Sequence, residues 1–361
     1  DITMPGLSDA GLYASVKQRV VTLPGVSDSS IVEVAGITRT TSKPKKPFGG
    51  VETLAGRDPV LFYKLIIEVP PGTKLQYISA GGAPEPMIQG NRYVWVFQNY
   101  DGIIPEPAGP RGRDFLPTVF YSVMRNWTLT ADYIMGRFAP KMMATDAVSA
   151  RALEIVGDLE GEKAADSLAS WVARNIRMID IDLGMAGYVP NSAATVLENG
   201  YADNQDRCVL LAAMMKSLGM EPSLALLPDP NVLLRDDVSG LAQFSRMVVV
   251  LGGEDGSWYW TEDDYTRVDR LPRYDGETAL LVAQGRGILA EAPKIKAADN
   301  GMDLSFGLNL DDGGNISGEL EALFRGDYER GFRRSFKDIS DRKAKQRVES
   351  VVSNLGEGKL R

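Results

Sequence analysis

The chain has no histidine and a single cysteine, Cys208, in 361 residues. Without an imidazole the usual general base near neutral pH is missing, so chemistry that needs a cysteine–histidine couple is excluded. One thiol rules out an intramolecular disulfide, and that absence does not separate a reducing compartment from an oxidising one. No apolar run reaches the roughly 18 residues of a bilayer-crossing helix, so no transmembrane segment is expected. The 40 lysines and arginines are outnumbered by 48 acids, for a net charge of −8. The basic residues are not clustered as a phosphate-binding face requires, and nucleic acid is not an expected partner. The chain starts at Asp1 without an initiator Met or a leader-like stretch, and is expected to be a mature chain or an excised piece.

What is present is an ordinary globular balance, 44% apolar and 24% charged, at a length that suggests two or three domains. The first part is turn-punctuated and β-rich. Short runs at Ser30 to Ala35, Val60 to Val69, Lys74 to Ser79 and Arg92 to Gln98 predict antiparallel strands. Leu61, Tyr63, Leu65 and Ile67 alternate onto one face, and the run from Tyr93 to Phe97 predicts burial on both. A proline- and glycine-rich connector from Ile103 to Pro117 marks a boundary.

Helical periodicity then takes over at Trp127 to Phe138, Asp146 to Asp158 and Glu162 to Met178. A further helix is predicted from Asp203–Asp206 to Leu218, with acids in its first turn and Gly219 just past its end. Ser223 to Leu227, Met247 to Leu251 and Ser257 to Thr261 predict strands of one sheet. Two alternating runs joined by Asp311-Asp312-Gly313-Gly314-Asn315 predict a hairpin, and Arg333 to Asn354 predicts a charged helix. The expected division is a β-rich domain over 1–122, an α+β core over 123–290 and the start of a C-terminal β domain over 291–361.

Three stretches carry the chemistry. Tyr201-Ala202-Asp203-Asn204-Gln205-Asp206 opens an apolar helix, Phe244-Ser245-Arg246 opens an apolar strand, and Trp258-Tyr259-Trp260-Thr261-Glu262-Asp263 is an aromatic strand ending in acids. In order and spacing they resemble the three active-site motifs of bacterial transglutaminase-like proteins, whose layout is shared with papain-like enzymes. Tyr93 to Ser122, with Trp95 and Pro105-Glu106-Pro107, resembles the junction between a domain of unknown function and such a core in envelope proteins.

The resemblance places Asn204 where the family has its nucleophilic cysteine, Arg246 where it has the histidine, and Glu262 at the aspartate, with Asp263 one step off. It implies a degenerate triad: no catalytic residue, no metal and no cofactor. It further implies a pseudoenzyme in the periplasm or at the surface of a Gram-negative bacterium, binding protein or polymer or associating with itself.

Plainer readings stand beside these. Arg246 and Glu262 are expected to form a buried or half-buried ion pair, so that Arg246→Ala destabilises more than Asn204→Ala. Cys208, one helical turn beyond Asn204, invites an alternative as the nucleophile of a thiol-dependent peptidase or acyl-transfer enzyme. A lone thiol among Val209, Leu210 and Leu211 is more often an inert core residue. Trp258, Tyr259 and Trp260 invite a carbohydrate-binding groove, against the commoner role of core and cover. The acidic runs Asp236-Asp237, Glu262-Asp263-Asp264 and Asp311-Asp312 lack calcium-loop spacing and are expected to be solvated turns.

Overall fold

The computed structural model describes residues 2–3, 7, 9–15, 17–39, 47–104, 106–107, 109–184, 187–262, 265, 268–271, 273–283 and 285–353. Asp263 and Asp264 lie outside them. Besides a short antiparallel pairing of Ile2–Thr3 with Lys17–Gln18, the N-terminal β structure is two three-stranded antiparallel sheets. Strands β1 (Gly49–Thr53), β3 (Gln76–Ala80) and β6 (Thr118–Ser122) run in the order β1-β6-β3. Strands β2 (Val60–Glu68), β4 (Met87–Gln89) and β5 (Arg92–Tyr100) run in the order β2-β5-β4. Between them Ile67, Tyr93, Trp95, Val119 and Tyr121 share a core.

Three expectations fail here. Leu61 is exposed although Ile67 on the same face is buried, because the first residues of β2 project beyond that core. Val94 and Val96 are only half-buried. The strand predicted at Ser30 to Ala35 does not form: its alternation is right, but a strand exists only with a neighbour to share hydrogen bonds, and residues 17–39 are exposed throughout.

The central part begins with α1 (Trp127–Phe138), α2 (Asp146–Val156) and α3 (Gly161–Asn175). Capping sets the first two: Asn126 Oδ1 accepts from Leu129 N at 2.9 Å, and Thr145 Oγ1 from Val148 N at 3.4 Å. After α4 (Ala193–Asn199), Gly200 takes the left-handed conformation (φ 69) that ends the helix. The chain then makes a short parallel pair, β7 (Arg177–Met178) with β8 (Tyr201–Ala202), and enters α5 (Asn204–Ser217).

Helix α5 is buried from Asn204 to Met215, and a helix covered all round must sit at the centre of its domain. It packs on a five-stranded antiparallel sheet built from β9 (Pro222–Pro228), β10 (Phe244–Leu251), β11 (Ser257–Tyr259), β12 (Thr278–Ala283) and β13 (Arg286–Glu291). Their order is β11-β10-β9-β12-β13. The far face of that sheet buries Val248, Val250, Trp258 and Trp260 in a second cluster.

The C-terminal part is a hairpin of β14 (Gly301–Leu310) and β15 (Ile316–Arg325), followed by α6 (Asp327–Phe336) and α7 (Asp341–Ser353). The hairpin turn is organised by Asp311, whose Oδ1 accepts from Gly313 N at 2.9 Å and Asn315 N at 2.8 Å. The single helix predicted over Arg333 to Asn354 is two, because Asp338 adopts a left-handed backbone (φ 54) that no helix continues through. This region therefore mixes β and α structure.

In the opening segment Leu7, Ala10 and Tyr13 share a cluster with Ile179 and Ile181 of the central part.

Candidate functional site

The first turn of α5 places four polar residues, Asn204, Gln205, Asp206 and Arg207, in the interior. Buried polar groups without partners each cost about 1–3 kcal/mol, so the partners of this turn define the site.

Asn204 spends its carboxamide on the backbone of β10. Its Nδ2 donates to Met247 O at 3.0 Å and its Oδ1 accepts from Met247 N at 2.6 Å. The pairing of β10 with β11 stops at Val249–Tyr259, so the amide takes over where the ladder ends. Cys208, one turn on, is fully buried, with its Sγ 3.3 Å from Met247 O. Burial drives its thiol pKa far up, opposite to the depression an attacking thiolate needs.

Arg246, next along β10, is ringed by acids. Its Nε lies 2.9 Å from Glu262 Oε1, one Nη lies 2.7 Å from Asp180 Oδ1, and the other pairs with Asp182. The expected Arg246–Glu262 pair is present and half-buried. Its two further acids come from the strip after β7, which Leu183 N holds against β10 by a 3.0 Å bond to Ser245 O. Asp180 and Asp182 are solvent-facing, so the arginine sits at the edge of the core and the cost of stranding its partners is moderated by water. Asn204 is the more deeply committed of the two. These contacts favour the opposite expectation, Asn204→Ala more destabilising than Arg246→Ala.

Asp203 caps α5, accepting from Asp206 N at 2.9 Å and from Gln205 Nε2 at 3.1 Å. Asp206 is held by three donors: Asn191 N at 2.7 Å, Asn191 Nδ2 at 2.7 Å and the Tyr13 hydroxyl at 2.5 Å. That hydroxyl in turn accepts from Asp203 N at 2.7 Å. Arg207 points the other way and donates to the carbonyls of Thr261, Ile176 and, at 3.5 Å, Ala173.

Two carboxyls within one buried turn disfavour each other's charge. The Asp203 pKa is raised, first by burial and then by Asp206, and that of Asp206 is raised by burial. An acid whose pKa is higher folded than unfolded binds its proton more tightly in the native state. Its contribution is therefore present near pH 4 and lost as pH climbs through the raised value. Asp203→Asn keeps a good cap and removes this titration. Its melting temperature relative to the parent is expected to rise steadily from pH 4 to pH 8, as thermal melts at half-unit steps would record; a flat difference would contradict the buried-acid reading.

Sequence reasoning located Asn204, Arg246 and Glu262 and missed Tyr13, Asn191, Arg207, Asp180 and Asp182. The alternation Asp180-Ile181-Asp182 was a usable signal for the last two; Tyr13, 193 positions from its partner Asp206, left none. The aromatic strand is interior: Trp258, Tyr259 and Trp260 are all buried, which removes the platform a glycan would stack on.

Residues 1–103 match the family DUF3857, a domain of unknown function with a solved structure. Among solved structures, a candidate protease from Parabacteroides distasonis ATCC 8503 is 19% identical with a TM-score of 0.55, over 72% of this chain and 52% of that one. A candidate cysteine protease from Cytophaga hutchinsonii is 12% identical over 74% of this chain and 84% of its own, at a TM-score of 0.27 too low to support an argument. No curated protein matches. The first likeness shows the fold, a mixed α+β architecture. The chain spans about half the length of that neighbour.

Proposed function

We propose that this chain is a catalytically inactive transglutaminase-like protein that works as a binding and self-associating scaffold in the bacterial envelope, at the periplasmic or outer surface. The observation that carries the reading is the fate of the motif positions. Where an acyl-transfer site needs a free nucleophile and a mobile proton acceptor, Asn204 has both ends of its amide bonded to Met247 and Arg246 is held among three carboxylates. A guanidinium stays protonated at physiological pH and does not serve as a base. Fold alone does not carry an activity once the reacting groups are exchanged.

The rival reading, a thiol enzyme using Cys208, makes a direct demand: its sulfur must meet substrate. Native protein treated with iodoacetamide at pH 7.5 is expected to stay unlabelled at Cys208, and to label stoichiometrically once denaturant is added. Peptide hydrolysis and amine incorporation by the full chain are expected at background. Turnover that disappears in Cys208→Ala would overturn the proposal. The scaffold half is tested by crosslinking in envelope fractions and by sedimentation; a strict monomer that recovers no envelope component would remove it.

A further inference from the structure

Residues 17–39 run exposed along the molecule, yet the sequence from Ile31 onward is that of a strand. Ile31 is 98% exposed, Val34 87% and Ile37 86%, an unusual amount of β-branched surface to leave in water. The N-terminal sheets meanwhile leave a long free edge. β2 borders the sheet β2-β5-β4, has nine residues, and shows Leu61, Phe62 and Ile66 to solvent. An unpaired strand and an unpaired edge are each a liability alone and a match for one another.

Their side chains fix how they would meet. Laid antiparallel with Ile31 opposite Ile66, the segment pairs residues 31–37 with Val60–Ile66 and puts Glu33 opposite Lys64, a pair of opposite charge on the outer face. The same register sets Val32 beside Leu65 and Val34 beside Tyr63, on the face that already packs in the N-terminal core. Sliding by one residue turns Glu33 into that core, and sliding by two breaks the charge pair. Within one copy the segment stays in solvent, its N-terminal side tied to the central part through Tyr13.

We infer that residues 31–37 add as a strand to the β2 edge of a second copy of this chain, and that the second copy returns the same contact. Reciprocal exchange gives a two-fold interface in which each copy supplies a donor strand and an acceptor edge. The inference rests on the self-association proposed above and names the surface responsible for it.

The test is sedimentation of the full chain across a concentration series, with Glu33→Lys, Lys64→Glu and the double variant. Both sites are exposed, so folding is left intact, as circular dichroism will register. Each single change sets like charges opposite each other twice per dimer and is expected to weaken association by about tenfold or more, while the double variant restores it. A dimer indifferent to all three variants would overturn the strand exchange and leave self-association standing. A parent that is monomeric at every concentration would overturn both. Amide protection of residues 31–37 in a monomer would assign the pairing to the chain's own β2 and likewise refute the exchange.

Discussion

Arg207→Ala is expected to cost about 5 kcal/mol and to leave the central part largely unfolded at ambient temperature. The guanidinium is almost fully buried and donates to carbonyl oxygens of two other segments. Ala173 and Ile176 lie at the C-terminal end of α3, where the last carbonyls have no partner of their own and the helix dipole is negative. Thr261 follows the aromatic strand. One side chain on α5 thus joins the end of α3 to the end of the sheet. Truncation strands those carbonyls and opens a cavity the length of an arginine stem.

Arg207→Lys is expected to lose roughly half as much, because an ammonium reaches one carbonyl where the planar fork reaches several. Urea titrations followed by tryptophan fluorescence would measure both. A loss below about 1 kcal/mol for the alanine variant would show that water or rearrangement replaces those bonds.

Asn204→Ala is the second large effect, at about 2–3 kcal/mol, since it leaves Met247 N without a partner and Met247 O with the weak thiol alone. Arg246→Ala is expected near 1 kcal/mol: its loss frees two solvent-facing acids and leaves one half-buried acid with reduced compensation. The same titrations rank the pair. If Arg246→Ala proved the more damaging, the arginine, and not the amide bridge, would be what fastens β10 to its surroundings.

The difference between the two expected orders marks where sequence reading reaches its limit. The Arg246–Glu262 pair was legible because opposite charges occupied two positions that the motif order brings together. The amide bridge was not, because it joins a side chain to a backbone, and a backbone N–H carries no signature in a sequence. Helix limits were legible wherever a cap is local, as at Asn126 and Asp203. The hairpin of β14 and β15 was legible for the same reason, its turn being closed by Asp311 within four residues. The Ser30–Ala35 strand misled because alternation describes a side chain's two faces and says nothing of the neighbour that must complete the ladder. The extra helix break at Asp338 turned on one backbone angle that charge periodicity does not encode.

The Tyr13 hydroxyl, bridging Asp206 and the Asp203 amide, also constrains the order of assembly. A phenol near the start of the chain waits for almost two hundred further residues to be synthesised before its seat exists, so this closure comes late and joins distant parts of the polypeptide. Tyr13→Phe therefore acts on the last stage of folding.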